Sequence, residues 1–168
     1  ERSLRSWNAN YIFAKLPQNW TNKNPQTFPL MPKSDVLWIT NPHNPTGQLW
    51  SKESLKRLLF NHKLIICDEA FLSITPEGEK ESLISLTKDF ENLIVIRSLT
   101  KLFSIAGLRL GYMIGNKEIL NKLKEKRDPW PMNTFAIKAG ITLLRNKKEY
   151  EKWIKKIHRW IKKEKGWI

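Results

Sequence analysis

Lys101 stands just past the apolar run Leu93-Ile94-Val95-Ile96, in Arg97-Ser98-Leu99-Thr100-Lys101, and eight positions before Arg109. A lysine set between buried apolar surface and a second cation is poised as an amine nucleophile toward an aldehyde. Ser98, Thr100 and Arg109 together suit a phosphate, the hydroxyls by hydrogen bonds and the guanidinium by a charge-assisted pair. Asp68 closes a second apolar run, Leu64-Ile65-Ile66-Cys67. A carboxylate there could hold a proton on a pyridine nitrogen and strengthen the ring's pull on electrons. Asn44, in Asn41-Pro-His-Asn-Pro-Thr-Gly47, could donate to a phenolic oxygen. Each residue alone is a weak signal, since a strand-end aspartate is commonly a helix cap and a single lysine is commonly solvated. Thr100 reads equally well as a turn hydroxyl, and His43 reads as a loop residue. No His/Cys/Asp cluster has metal-ligand spacing, so no metal is expected.

These residues need elements to carry them. Val36–Thr40, Leu64–Cys67, Leu93–Ile96 and Leu108–Ile114 read as buried strands by their continuous apolar character. Ser51 is an N-cap candidate for a helix whose apolar face is Leu55, Leu58 and Leu59. A helical turn is expected near 82–89, and helices over 117–127 and 134–146. A final helix carries Trp153, Ile154, Ile157, Trp160 and Ile161 as a core-facing stripe. Residues 1–8 read as the end of a helix, Tyr11–Ala14 as a short strand, and the proline-rich 17–35 as a connector. Strands alternating with helices predict an α/β domain of three layers around a mostly parallel sheet. Ligands gather at the C-terminal ends of such strands, and Asn44, Asp68 and Ser98 with Lys101 all fall there.

Composition excludes several classes. Of 168 residues, 40% are hydrophobic, which is enough for a packed core and too many for a disordered chain. One cysteine, Cys67, rules out a disulfide scaffold and fits a reducing cytoplasm. No apolar run is long enough to span a bilayer, and the N-terminus lacks signal-peptide order. The net charge of +14 comes mostly from lysines spread along the chain. It reads as a solvated surface before it reads as a nucleic-acid or membrane footprint. A non-catalytic nucleic-acid-binding domain is the remote alternative, with charge as its only warrant.

Taken together and in order, Asn41–Gly47, Asp68-Glu-Ala-Phe71, Ser98-Leu-Thr-Lys101 and Gly107-Leu-Arg-Leu-Gly-Tyr112 resemble the class I/II aminotransferase family. These are fold-type I enzymes that depend on pyridoxal 5′-phosphate (PLP). Within the family, Arg97–Tyr112 and Asp128-Pro-Trp-Pro-Met-Asn133 look most like the threonine-phosphate decarboxylases of cobalamin synthesis. Histidinol-phosphate aminotransferases follow closely by the same motifs. The resemblance implies that Lys101 is joined covalently to the cofactor and is the catalytic acid or base. It implies that Asp68 pairs with the pyridinium nitrogen and Asn44 with the phenolic oxygen. Ser98, Arg109 and, less specifically, Thr100 would bind the cofactor phosphate. Phe71 stands where many aminotransferases place a tyrosine, which keeps the packing and removes one hydrogen bond to the phenolic oxygen. That favours the decarboxylase branch.

The resemblance covers nearly the whole chain but only the middle of the family's length. The expectation is therefore a partial PLP-binding large domain over 1–145, followed by a basic amphipathic helix over 146–168 leading toward a small domain. By the same resemblance, an intact protein would be a cytoplasmic homodimer acting on a phosphorylated amino acid, with neither nucleic acid nor membrane as partner. The family's substrate-carboxylate arginine is not among these residues, so the isolated chain is expected to be inactive.

Overall fold

The computed structural model describes residues 2–16 and 25–165. In chain order the elements are helix α1 (Arg2–Ser6), strand β1 (Val36–Thr40), helix α2 (Lys52–Leu58) and strands β2 (Leu64–Asp68) and β3 (Leu93–Ser98). Then follow α3 (Leu99–Leu102), β4 (Gly111–Gly115), α4 (Lys117–Glu125), α5 (Thr134–Arg145) and α6 (Lys147–Lys165). Single 3-10 turns at Leu72–Ile74, Gly78–Glu81, Ile84–Lys88 and Ala106–Leu108 fill the connections.

Ser51 starts α2 as expected, its Oγ accepting the Ser54 amide at 3.3 Å. Leu55, Leu58 and Leu59 turn inward from this helix onto Ile39, Ile65, Cys67, Leu93 and Val95. Ile39, Cys67 and Val95 are register partners across three strands, so strand alternation puts them on one sheet face. On the other face Trp38, partnered with Ile66, is 60% exposed, and Met113 is 50% exposed.

The sheet order is β1-β2-β3-β4, with β1, β2 and β3 parallel and β4 antiparallel to β3. Returning along a six-residue strand takes about 20 Å, or roughly a dozen helical residues. The segment between β3 and β4 spends its length on the four residues of α3 and one 3-10 turn. It turns in place instead of running back along the sheet, and β4 enters at the end where β3 leaves. The apolar run predicts this strand from Leu108. It starts later because Ala106–Leu108 are a 3-10 turn and Arg109 adopts a left-handed conformation at φ 50°.

Leu99, Leu110 and Ala136 form a second cluster that seats α5 beside this connection. α6 lies across it, with Trp153 Nε1 donating to the Leu102 carbonyl and His158 Nε2 donating to the Ser73 carbonyl at 3.0 Å. Trp153, Ile154, Ile157 and Ile161 are half-buried, as the helical spacing predicts, but Trp160 is 63% exposed. The strand expected at Tyr11–Ala14 is absent. That segment joins no sheet; Tyr11 instead accepts a hydrogen bond from Arg5 Nε at 2.7 Å and packs edge-on against Phe13. In the connector, 25–35 carries only an isolated bridge between Gln26 and Trp50, while Pro17 and the rest of 17–24 lie outside the described residues. Among the described residues no helix is long and apolar enough to cross a membrane.

Candidate active site

The parallel register brings Thr40, Asp68 and Ile96 into one row at the C-terminal edge of the sheet. Asn41 continues this edge, its amide donating to the Asp68 carbonyl at 2.8 Å. Its buried side chain holds both backbone groups of Trp50: Oδ1 accepts from the amide at 2.9 Å and Nδ2 donates to the carbonyl at 3.2 Å. The loop 42–47 springs from this clasp and presents Asn44 to solvent. His43 is a loop residue whose Nδ1 lies 2.7 Å from Thr46 Oγ1, and burial lowers its pKa.

Asp68 is half-buried. Its Oδ1 accepts the Ala70 amide at 3.0 Å, and its second oxygen has no hydrogen-bond partner among the described residues. Ser98 caps α3, accepting the Thr100 amide at 3.3 Å, and its Oγ lies 2.7 Å from Thr100 Oγ1. Whichever of the two accepts keeps its own proton for a further acceptor. Lys101 projects from α3 with Nζ 5.4 Å from the Phe71 ring centroid, and it makes no hydrogen bond or ion pair among the described residues. Arg109 is brought to the same edge because Gly111, two residues on, faces Ser98. Its guanidinium turns back onto its own loop, Nη1 donating to the Ala106 carbonyl at 3.2 Å.

Two adjoining cavities open here. Asn44 and Phe71 help line one of about 310 Å³, and Lys101, Ser104, Trp153 and Lys156 line another of about 350 Å³. Ile74 and Ile161 border both. Asp68, Ser98, Thr100 and Arg109 line neither; they flank the cavities along the sheet edge.

A larger network lies beside these residues, outside the site that the sequence predicts. Arg97 and Glu69 are adjacent in sequence to Ser98 and Asp68 and, by strand alternation, face the other side of the sheet. Their side chains are 4% and 0% exposed, and Arg97 Nη2 lies 2.8 Å from Glu69 Oε2. Glu79 receives both terminal nitrogens of Arg97, at 2.7 and 3.0 Å. Ser73 and Ser82 accept from the same guanidinium, and the Leu83 amide donates to Glu69 at 2.7 Å. Burial pushes the Glu69 carboxyl up, while Arg97, the Leu83 amide and Ser82 pull it back. Burial also opposes ionisation of Glu79, but Arg97's hydrogen bonds and charge outweigh it and hold that carboxyl below its ordinary value. The signal was present in the sequence: a charge at the end of an apolar strand run needs a buried partner.

The donor set fits PLP. A primary amine with no hydrogen bond or ion pair among the described residues, a carboxylate with an open oxygen, an exposed amide, two adjoining hydroxyls and a guanidinium lie along one sheet edge. No metal-binding cluster occurs among the described residues.

Comparison with known proteins agrees with this chemistry. The family model for aminotransferase class I and II matches residues 13–165. Histidinol-phosphate aminotransferase 2 of Haemophilus influenzae is 34% identical over 126 residues, covering 73% of this chain and 34% of the relative. The crystal structure of histidinol-phosphate aminotransferase from Clostridium acetobutylicum superposes with a TM-score of 0.66 at 37% identity, covering 79% of this chain and 40% of that one. That of L-threonine-O-3-phosphate decarboxylase from Porphyromonas gingivalis gives 0.61 at 31% identity, covering 67% and 36%. The chain thus spans about a third of the length of the curated relatives it matches. With its motif order, its mixed sheet and its lysine-bearing strand end, it belongs to the class I and II aminotransferases, a family of PLP-dependent enzymes.

Proposed function

We propose that this chain carries the cofactor site of an enzyme acting on a phosphorylated amino acid, with decarboxylation of L-threonine O-3-phosphate, a step of cobalamin synthesis, as its reaction. The observation that carries the reading is Lys101 Nζ, which makes no hydrogen bond or ion pair among the described residues and is set against the Phe71 ring at the strand edge of Asp68 and Ser98. When bound, PLP supplies an electron sink for the pair left when a bond to the substrate's α-carbon breaks. Lys101 Nζ would hold the cofactor and, once displaced, carry a proton to or from the α-carbon. The open oxygen of Asp68 would accept the ring N–H and keep that nitrogen protonated. Asn44 would donate to the phenolic oxygen, while Ser98, Thr100 and a reoriented Arg109 would bind the phosphate. Phe71 offers packing without a hydroxyl, which supports decarboxylation. Residues 1–145 act in this reading as part of the large domain and 146–168 as the helix leading onward, in a cytoplasmic homodimer.

The aminotransferase reading is favoured by the 34% and 37% identities to histidinol-phosphate aminotransferases. It uses the same residues but removes the α-proton instead of the carboxylate. The test is absorbance of the chain with added PLP, then borohydride reduction and peptide mapping with Lys101→Ala as control. An absorbance band fixed by reduction onto Lys101 supports the cofactor assignment; label scattered over the surface lysines sinks it. CO2 release from phosphothreonine, against amino transfer from histidinol phosphate to 2-oxoglutarate, then separates the two reactions in a chain of the relatives' length.

A further inference from the structure

One guanidinium ties down the whole excursion between β2 and the third 3-10 turn. Arg97 bonds Glu69 at its start, Ser73 and Glu79 in its middle and Ser82 at its end. Phe71 lies two residues from Glu69 and two from Ser73, so its backbone is held on both sides. Its carbonyl also accepts the Thr75 hydroxyl at 3.0 Å. The ring so placed is the one that meets Lys101 Nζ, and Ile74, in the same excursion, borders both cavities.

We propose that Arg97 is a positioning residue which, through Glu69 and Glu79, sets Phe71 and Ile74 as the wall against which Lys101 works. A buried ion pair is poor evidence for stability alone, because apolar residues of similar volume often serve as well. What apolar residues do not supply is a planar fork that fixes several separated points at once. Arg97 uses both terminal nitrogens on four different residues and leaves its buried Nε without a partner among the described residues. That arrangement suits location of a loop better than simple filling of space. The inference deepens the functional reading by naming what shapes the Lys101 site, but its geometric part holds with no cofactor bound.

Two variants test it. Glu69→Gln with Arg97→Met removes both buried charges while keeping an oxygen for the Leu83 amide. Glu79→Ala acts from the half-exposed side of the network and leaves the Arg97–Glu69 pair in place. In the full chain without cofactor, labelled with ¹³C-lysine, the Lys101 ε-methylene signal is assigned by Lys101→Arg. It is expected upfield of the other lysines through the Phe71 ring current, and expected to move toward them in both variants while each still unfolds cooperatively. A Lys101 signal unmoved in both variants, or already among the other lysines in the wild type, overturns the proposal. With PLP and borohydride, the share of label on Lys101 is expected to fall by about tenfold in the variants. If the wild type gives no preferred label while the ring-current shifts behave as stated, the cofactor assignment fails and the positioning role stands.

Discussion

Ser98 and Gly111 face one another across the antiparallel pair β3–β4, and a Cβ placed on Gly111 would come within 2.8 Å of the Arg97 carbonyl oxygen. That contact is with backbone and cannot be relieved by a side-chain rotation. Gly111→Ala is therefore expected to destabilise the chain by about 1–3 kcal/mol through overpacking. A shift in the urea midpoint at unchanged slope would register it, and wild-type stability would contradict the close approach.

Acid should unfold the chain partly through Glu79. Its native pKa lies below the ordinary 4.5 because Arg97 outweighs burial. The stabilisation is thus fully present above 4.5 and lost as pH falls through the lowered native value. Glu69, whose native pKa is raised by burial, acts in the opposite sense over the range above its unfolded value. Glu79→Gln should flatten the fall in stability on acidification while lowering stability at neutral pH. Urea midpoints across the acid range give the slope, and an unchanged slope would exclude Glu79 as its source.

Cys67 lies inside the core, and burial, with the nearby Glu69 and Asp68 charges, drives its thiol well above the ordinary value. A thiol held protonated and out of reach should not react with an aromatic disulfide reagent until the chain unfolds. Titration of the native protein is expected to give no colour, with one equivalent released in denaturant. Prompt reaction in the native state would mean that this part of the sheet opens readily.

Trp38 and Met113 leave apolar area on one sheet face in contact with solvent. Trp38→Ser should cost no more than about 2–3 kcal/mol, since the ring is already 60% exposed. It should lower any concentration-dependent association, as measured by sedimentation. Unaltered association would place the sticky surface elsewhere.

Much of this arrangement was legible because strands announce themselves by apolar runs and their ends by a change of chemistry. Val36–Thr40, Leu64–Asp68 and Leu93–Ser98 stand where the runs put them, and Ser51 caps the helix its hydroxyl suggested. The sense of β4 was harder to read, since it depends on how much length the 99–110 connection spends on turns. Tyr11–Ala14 misled because β-prone residues make a strand only where a ladder partner is available. At the site, residue types and order pointed to Lys101, Asp68 and Ser98, whereas Arg97 and Glu69 were passed over as neighbours of those residues. Their meaning depends on Glu79, Ser73 and Ser82, whose convergence only the folded excursion creates.

The clasp of Asn41 on Trp50 has a bearing on how such a sequence can drift. A side chain here takes over pairing that a neighbouring strand would otherwise provide, so the loop 42–47 is closed at its base whatever its tip contains. Exchanges and length changes at residues 43–46 should alter what is held at the sheet edge while the domain still folds. Loss of the amide at 41 should instead unseat Trp50, whose ring packs at 5.0 Å from Phe28 in the core. In a lineage released from selection on activity, the tip of this loop would be expected to diverge long before its root.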